Sequence, residues 1–181
     1  MNFILSMEQV ILVDEADAPL GSMEKLEAHR KALLHRAFSV FIFNSKGEML
    51  LQRRAEGKYH SPGLWTNACC SHPRPGEDTH DAAVRRLREE LGFTTGLSKL
   101  FEFTYRSEFD NGLTEFEFDH VFVGLYDSDI CPDPAEVSDH CYRSMEEIRA
   151  WLQSRPQEFT SWFHLALPLV SEKMKNNRWG C

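Results

Sequence analysis

Gly76-Glu77-Asp78-Thr79-His80-Asp81-Ala82-Ala83-Val84-Arg85-Arg86-Leu87-Arg88-Glu89-Glu90-Leu91-Gly92-Phe93 is the stretch on which the fold turns. Pro73-Arg74-Pro75-Gly76-Glu77 forces a loop ahead of it, and Asp78 or Thr79 offers a side-chain oxygen to the first free N–H groups of a helix. The pattern predicts a strongly amphipathic helix running to Leu91, with Gly92 at the position that stops it. Ala82, Arg86 and Glu90 fall four apart on one stripe of that helix, so an arginine faces the acid at its end.

Upstream lies Asn67-Ala68-Cys69-Cys70-Ser71-His72, reached through a loop from Gly57 to Gly63 that carries Pro62. In an extended segment, side chains two apart share a face. Cys70 and His72 therefore point together, and Cys69 points the other way, into the core. Downstream, Glu115-Phe116-Glu117 repeats the arrangement with two carboxylates on one face, while Phe116 and Phe118 alternate with them as core residues. A thiol, an imidazole and two carboxylates converging on one pocket make a metal site with acid–base chemistry beside it.

The remaining segments read as follows. Val10 to Val13 is a short strand, and Ser22 to His29 a helical turn with Ser22 as its cap. Ala37 to Phe43 is a buried strand; Asn44-Ser45-Lys46-Gly47 is turn chemistry, and Glu48 to Arg53 returns as the second strand of a hairpin. Leu97 to Ser107 and Glu115 to Tyr126 form another hairpin around Asp110-Asn111-Gly112. After the loop Cys131-Pro132-Asp133-Pro134 come a strand from Val137 to Arg143, a capped helix from Ser144 to Leu152 and a C-terminal helix from Phe159 to Met174. This is a single α+β domain, with residues 1–6 as a possible disordered extension, the domain proper at 7–175 and a tail at 176–181.

With 181 residues, 42% hydrophobic and 27% charged, the chain can bury a core without disulfide staples. Its formal charge of −8 argues against a general nucleic-acid binder, yet leaves room for a small anion held by a few local bases. Five cysteines, two of them adjacent, do not form a disulfide framework and point to a reducing compartment. Met1-Asn2-Phe3-Ile4-Leu5-Ser6-Met7-Glu8 has neither the basic start of a signal peptide nor the length of a membrane span. The expectation is a cytoplasmic protein without nucleic-acid or membrane partners, a monomer or weak dimer.

The stretch from Gly76 to Phe93 resembles a Nudix box, matching at Gly76, Leu87, Glu89, Glu90, Gly92 and Phe93. It departs where Ala82 replaces the first glutamate of the pattern and Arg85-Arg86 replaces Arg-Glu, so two carboxylates that bind metals for diphosphate hydrolysis are missing. That altered box, with the run from Trp65 to Pro73 and the pair Glu115 and Glu117, resembles the type I isopentenyl-diphosphate isomerase family, from about Met7 to Trp162.

The resemblance implies a Nudix-like fold of mixed strands and helices, and interconversion of isopentenyl and dimethylallyl diphosphate by protonation and deprotonation. It makes Cys70 and Glu117 the proton carriers, with Tyr105 in relay, and carries over His29, His35, His72, Glu115 and Glu117 as metal ligands. Five protein ligands suit Mn²⁺ or Mg²⁺, with Zn²⁺ a possible guest. Glu90, with the Cys70 carbonyl oxygen, is expected at a second Mg²⁺ that arrives with the diphosphate. Lys25, Arg54, Lys58, Ser71 and Arg86 are expected to bind the diphosphate, and Trp162 to cover the hydrocarbon. His60, His80, His140 and His164 read as surface or structural, and His120 as facing away from Glu117. The rival readings are a Nudix hydrolase of a nucleoside diphosphate derivative and a non-catalytic binding protein on the same fold.

Overall fold

A computed structural model describes residues 8–58 and 60–176. The first expected segment, 1–6, and all of the expected tail except Asn176 lie outside the described residues. Nine strands form one branched sheet, with helices on both faces. In chain order they are β1 (Gln9–Val13), β2 (Pro19–Glu24), α1 (Lys25–Arg30), β3 (His35–Phe43), β4 (Met49–Arg54), β5 (Trp65–Asn67), β6 (Cys69–Ser71), α2 (Thr79–Leu91), β7 (Leu97–Glu108), β8 (Thr114–Leu125), β9 (Val137–Arg143), α3 (Met145–Ser154) and α4 (Ser161–Asn176).

The sheet is organised around β3. It runs parallel to β8 from His35 opposite Glu117 to Phe43 opposite Leu125, and antiparallel to β6 with Ser39 opposite Cys70. A strand paired on both edges and covered on both faces must be apolar on both, and His35–Phe43 is buried along nearly its whole length. Phe38, Val40 and Ile42 pack toward α2 with Leu50, Ala68, Cys69, Ala82, Ala83, Leu87 and Leu91. Phe41 and Phe43 point oppositely, toward Phe159, Phe163, Ala166, Leu167 and Val170 at the start and along the length of α4. The two-residue period of the strand thus makes two cores and fixes its register, since a one-residue slip would exchange them.

The amphipathic helix forms as expected. Asp78 accepts from the N–H groups of His80 and Asp81, and Gly92 ends it at φ 77°. Only glycine fits there: a Cβ at Gly92 would lie 2.4 Å from the Cys131 carbonyl oxygen.

Three expectations need correction. Pro19–Glu24 is a strand paired with β1, so the cap of the short helix is Glu24, which accepts from Leu26 and Glu27, and not Ser22. The turn at Asn44–Gly47 exists, but β3 and β4 pair only at Phe43 and Met49. They diverge because β8 and β6 occupy β3, while β4 joins β5 and β9. Phe118 is core, whereas Phe116 is only half-buried and lies under the Arg106 guanidinium. Among the described residues, no helix is long and apolar enough to cross a membrane.

Candidate active site

Each metal-ligand candidate is fixed by the backbone of its own element. His29 ends α1, where its Nδ1 lies 2.7 Å from the Lys25 carbonyl oxygen one turn back; His35 opens β3, with Nδ1 2.8 Å from the Leu33 carbonyl oxygen. A carbonyl oxygen only accepts, so both imidazoles carry a proton on Nδ1 and present Nε2 as the atom left to ligate. Both rings are fully buried. His72 enters from just beyond β6, and the three ring centroids lie 4.8, 5.0 and 5.8 Å apart.

Glu117 on β8 closes this group. Its Oε1 is 2.9 Å from His72 Nε2 and 3.6 Å from His35 Nε2. Nε2 of His35 thus stands close to a carboxylate oxygen in a buried interior, where a cation between them would be held by both. One nitrogen or oxygen from each of His29, His35, His72 and Glu117 falls within 4.8 Å of the others, so the donors fit a divalent metal.

Glu115 belongs to an adjoining group with His29 and His60. Its Oε1 is 3.3 Å from His60 Nε2, and the Tyr105 hydroxyl reaches both carboxylates, at 2.6 Å from Glu117 and 3.2 Å from Glu115. The expectation of one five-ligand cluster thus resolves into four donors that converge and a fifth beside them. His60, read from the sequence as surface or structural, is not at the surface. It is buried, stacked on Phe109 and set edge-on to Trp162, in the wall of the cleft.

Burial governs the acidities here. It pushes Glu117 upward, but the hydrogen bonds of His35 and His72 outweigh it and hold this carboxyl well below the usual range. Glu115 goes the other way, raised by burial and by the neighbouring Glu117 charge. Burial lowers His72 to about 4, even against Glu117, and His60 to about 2 with help from Arg54; both are neutral and able to ligate or donate. Burial and the two glutamates keep the Tyr105 phenol protonated.

Cys70 lies half-buried on β6, across β3 from Glu117, and lines the same cleft. Burial, then the Asp119 charge, raises its thiol above the ordinary value. Cys69 points into the core, as its parity requires. Asp119 continues the face of Glu115 and Glu117; burial and the Glu117 charge raise its carboxyl to about 8. That residue was overlooked, although the two-residue period of the strand marks it. His120, one residue on, faces away and binds Asp17 at 3.0 Å.

The expected diphosphate residues border the cleft as a group: Lys25, Arg54, Lys58, Ser71, Arg86 and Trp162 all line it. The four cations already have partners. Lys25 pairs with Glu8 at 3.0 Å, Lys58 with Glu136, and Arg86 with Glu89 and Glu90 at 2.7 Å each. Arg54 donates to the His60 carbonyl oxygen at 3.2 Å, with its guanidinium 5.3 Å from the Trp162 ring centre. Glu90 accepts from Arg86 and, at 2.9 Å, from Gln52. The four described cysteines, Cys69, Cys70, Cys131 and Cys141, are free thiols.

Comparison with known proteins identifies the family. The NUDIX domain family matches residues 33–163. A protein of Pectobacterium atrosepticum named isopentenyl-diphosphate Delta-isomerase is 50% identical over 168 residues, covering 93% of this chain and 94% of its own. One of the same name from Burkholderia multivorans is 49% identical over 157 residues, covering 87% and 89%. Among solved structures, DR0079 from Deinococcus radiodurans superposes with a TM-score of 0.69 at 24% identity over 81% of this chain and 90% of its own, which establishes the fold alone. On the strength of the domain match and of these relatives, the chain belongs to the NUDIX family and, within it, to the isopentenyl-diphosphate Delta-isomerases.

Proposed function

We propose that this protein interconverts isopentenyl and dimethylallyl diphosphate by adding a proton to one end of the allylic unit and removing one from the other. The observation that carries the reading is the shared cleft: Cys70 lines it from β6 and the Tyr105–Glu117 pair from β7 and β8, with β3 between the two sides. Protonating an unactivated alkene makes a tertiary cation, which water would capture, so the carriers must work in a closed and dry site. The burial of Glu115, Glu117, Tyr105 and Trp162 supplies that dryness. The Trp162 indole, which lines the cleft, would steady positive charge on carbon by about 1–2 kcal/mol.

His29, His35, His72 and Glu117, with Glu115 beside them, would hold Mn²⁺ or Mg²⁺. The ion would supply positive charge that neutralises the paired carboxylates and sharpens the acidity of a proton shared with them. Glu117 then takes or gives the proton at its carboxylate oxygen, with the Tyr105 hydroxyl as the donor that follows it. Cys70 does the same at sulfur on the other side. Lys25, Arg54, Lys58, Ser71 and Arg86 bind the diphosphate as a handle that keeps the five-carbon chain in register. Glu90, with the Cys70 carbonyl oxygen, would hold a second Mg²⁺ supplied with the diphosphate.

Binding requires rearrangement. The cleft encloses only about 50 Å³, well below the roughly 300 Å³ of the smallest common ligand sites. Lys58 and Arg86 would therefore exchange Glu136 and Glu89 for phosphate oxygens. The five cysteines and the acidic balance fit the same reading, a cytoplasmic enzyme of a small anionic substrate.

The test is incubation with isopentenyl diphosphate and Mn²⁺ or Mg²⁺, reading dimethylallyl diphosphate and released phosphate together. The isomer should form without phosphate release, and a nucleotide panel should remain intact. Phosphate release from any nucleotide, with no isomer formed, would replace this reading by a hydrolase.

A further inference from the structure

Two groups grip the Cys70 sulfur from behind the cleft, and the proton transfers described above leave one of them without a task. Asn67 is the first: the sulfur lies 3.1 Å from its Oδ1. Its amide nitrogen donates to the Val40 and Cys69 carbonyl oxygens at 3.0 Å each, so the oxygen faces the sulfur and Asn67 can only accept from the thiol. Ser39 is the second. It stands directly opposite Cys70 in the β3–β6 ladder, with Oγ 3.5 Å from the sulfur and 2.7 Å from Asp119 Oδ2. Ser39 and Asp119 are both at least 98% buried, and neither lines the cleft.

A thiol has a single proton, and Asn67 Oδ1 is suited to accept it. Whichever direction the isomerisation runs, the sulfur is a thiol at one stage and a thiolate at the other. In the thiolate stage the Asn67 oxygen repels it, and among the described contacts of the sulfur only the Ser39 hydroxyl can donate. Turning that O–H from Asp119 toward the sulfur moves a hydrogen and no heavy atom.

We propose that Ser39, anchored by Asp119, is a positioning residue that fixes the Cys70 sulfur and donates a hydrogen bond to it when its proton resides on the substrate. This rests on the reading of Cys70 as a proton carrier. In that step the alkene electron pair takes the thiol proton and forms the new C–H bond, the S–H electron pair stays on sulfur, and the reverse step restores both. The other carrier, Glu117, takes the proton lost at the far end of the allylic unit, and proton exchange with water resets both groups.

The test compares Ser39→Ala, Ser39→Thr and Cys70→Ala in the metal-loaded enzyme. Losing a hydrogen bond to a charged atom should lower kcat of Ser39→Ala about 10- to 100-fold with KM within about twofold, and Ser39→Thr should recover to within about threefold. Alkylation of Cys70 by iodoacetamide, followed on its own peptide by mass spectrometry, should slow in Ser39→Ala and not in Ser39→Thr. A purely structural serine would lower Tm and leave kcat and the alkylation rate as in the wild type; that result overturns the proposal. If Ser39→Ala does not fold, the near-isosteric Ser39→Cys, a weak donor, carries the same readings. Wild-type turnover in Cys70→Ala would instead overturn the assignment of Cys70 itself.

Discussion

Two acidic regions border the cleft, and they are neutralised in opposite ways. On α2, Arg85 and Arg86 hold Glu89, and Arg86 also holds Glu90, so the helix carries its own counter-charge. On β8, the described ion pairs of Glu115 and Glu117 are with histidines alone, and Tyr105 donates to both. The helix therefore cannot gather metals for diphosphate cleavage, because Arg86 occupies the stripe where acids would have to converge. The strand, by contrast, brings buried carboxylates against imidazoles in a group that could hold a metal ion. The helix thus carries its acids already paired with arginine, and the strand carries the buried His and Glu donors.

The largest effects should come from the strand. Glu117→Gln should lower turnover about a thousandfold or more and also weaken Mn²⁺ binding, read by calorimetry. Cys70→Ala should lose turnover equally while binding Mn²⁺ as the wild type does. Equal metal loss in both variants would break the division between ligand and thiol. On the helix, Glu90→Gln should leave the affinity of the histidine site within about twofold and raise KM for the diphosphate about tenfold, since only its role beside the phosphates is removed.

A pH dependence separates the regions further. Asp119 has a folded-state value of about 8, raised from the ordinary carboxyl value by burial. Between roughly pH 4 and pH 8 the native state of the metal-free protein keeps a proton that the unfolded chain has lost. Its contribution to stability is thus complete below about pH 4 and is lost as pH rises through 8. In thermal melts of metal-free protein, the stability of wild type relative to Asp119→Asn should fall with rising pH across this window. A flat difference would mean that Asp119 is ionised in the fold.

The smallest effect is expected at Cys69. Its sulfur is fully buried beside α2, so Cys69→Ala should cost about 1 kcal/mol in denaturant melts and keep most of the turnover. Equal loss of turnover at both cysteines would defeat the argument from strand parity.

Where the sequence was read correctly, the signal was periodic. Period two separated Cys70 from Cys69 and paired Glu115 with Glu117, and cap residues bounded α2 almost to the residue. Extended one step, the same period would have included Asp119. The failures lie where pairing is non-local or exposure hides the pattern. β2 is largely solvent-facing, so no alternation marks it, and Ser22 mimics a cap. The Asn44–Gly47 turn forms, yet no local feature says that β8 and β6 will occupy both edges of β3. His60 sits in a polar loop and gains its meaning only from Glu115 and Trp162, more than fifty residues away.

The most direct measurement is the reaction in D₂O, with isopentenyl diphosphate as substrate and deuterium located by mass spectrometry. The wild type should give dimethylallyl diphosphate carrying solvent deuterium, with the diphosphate intact, and Cys70→Ala should incorporate none. Deuterium-free product from the wild type, or undiminished incorporation by Cys70→Ala, would contradict a proton exchanged through the Cys70 thiol.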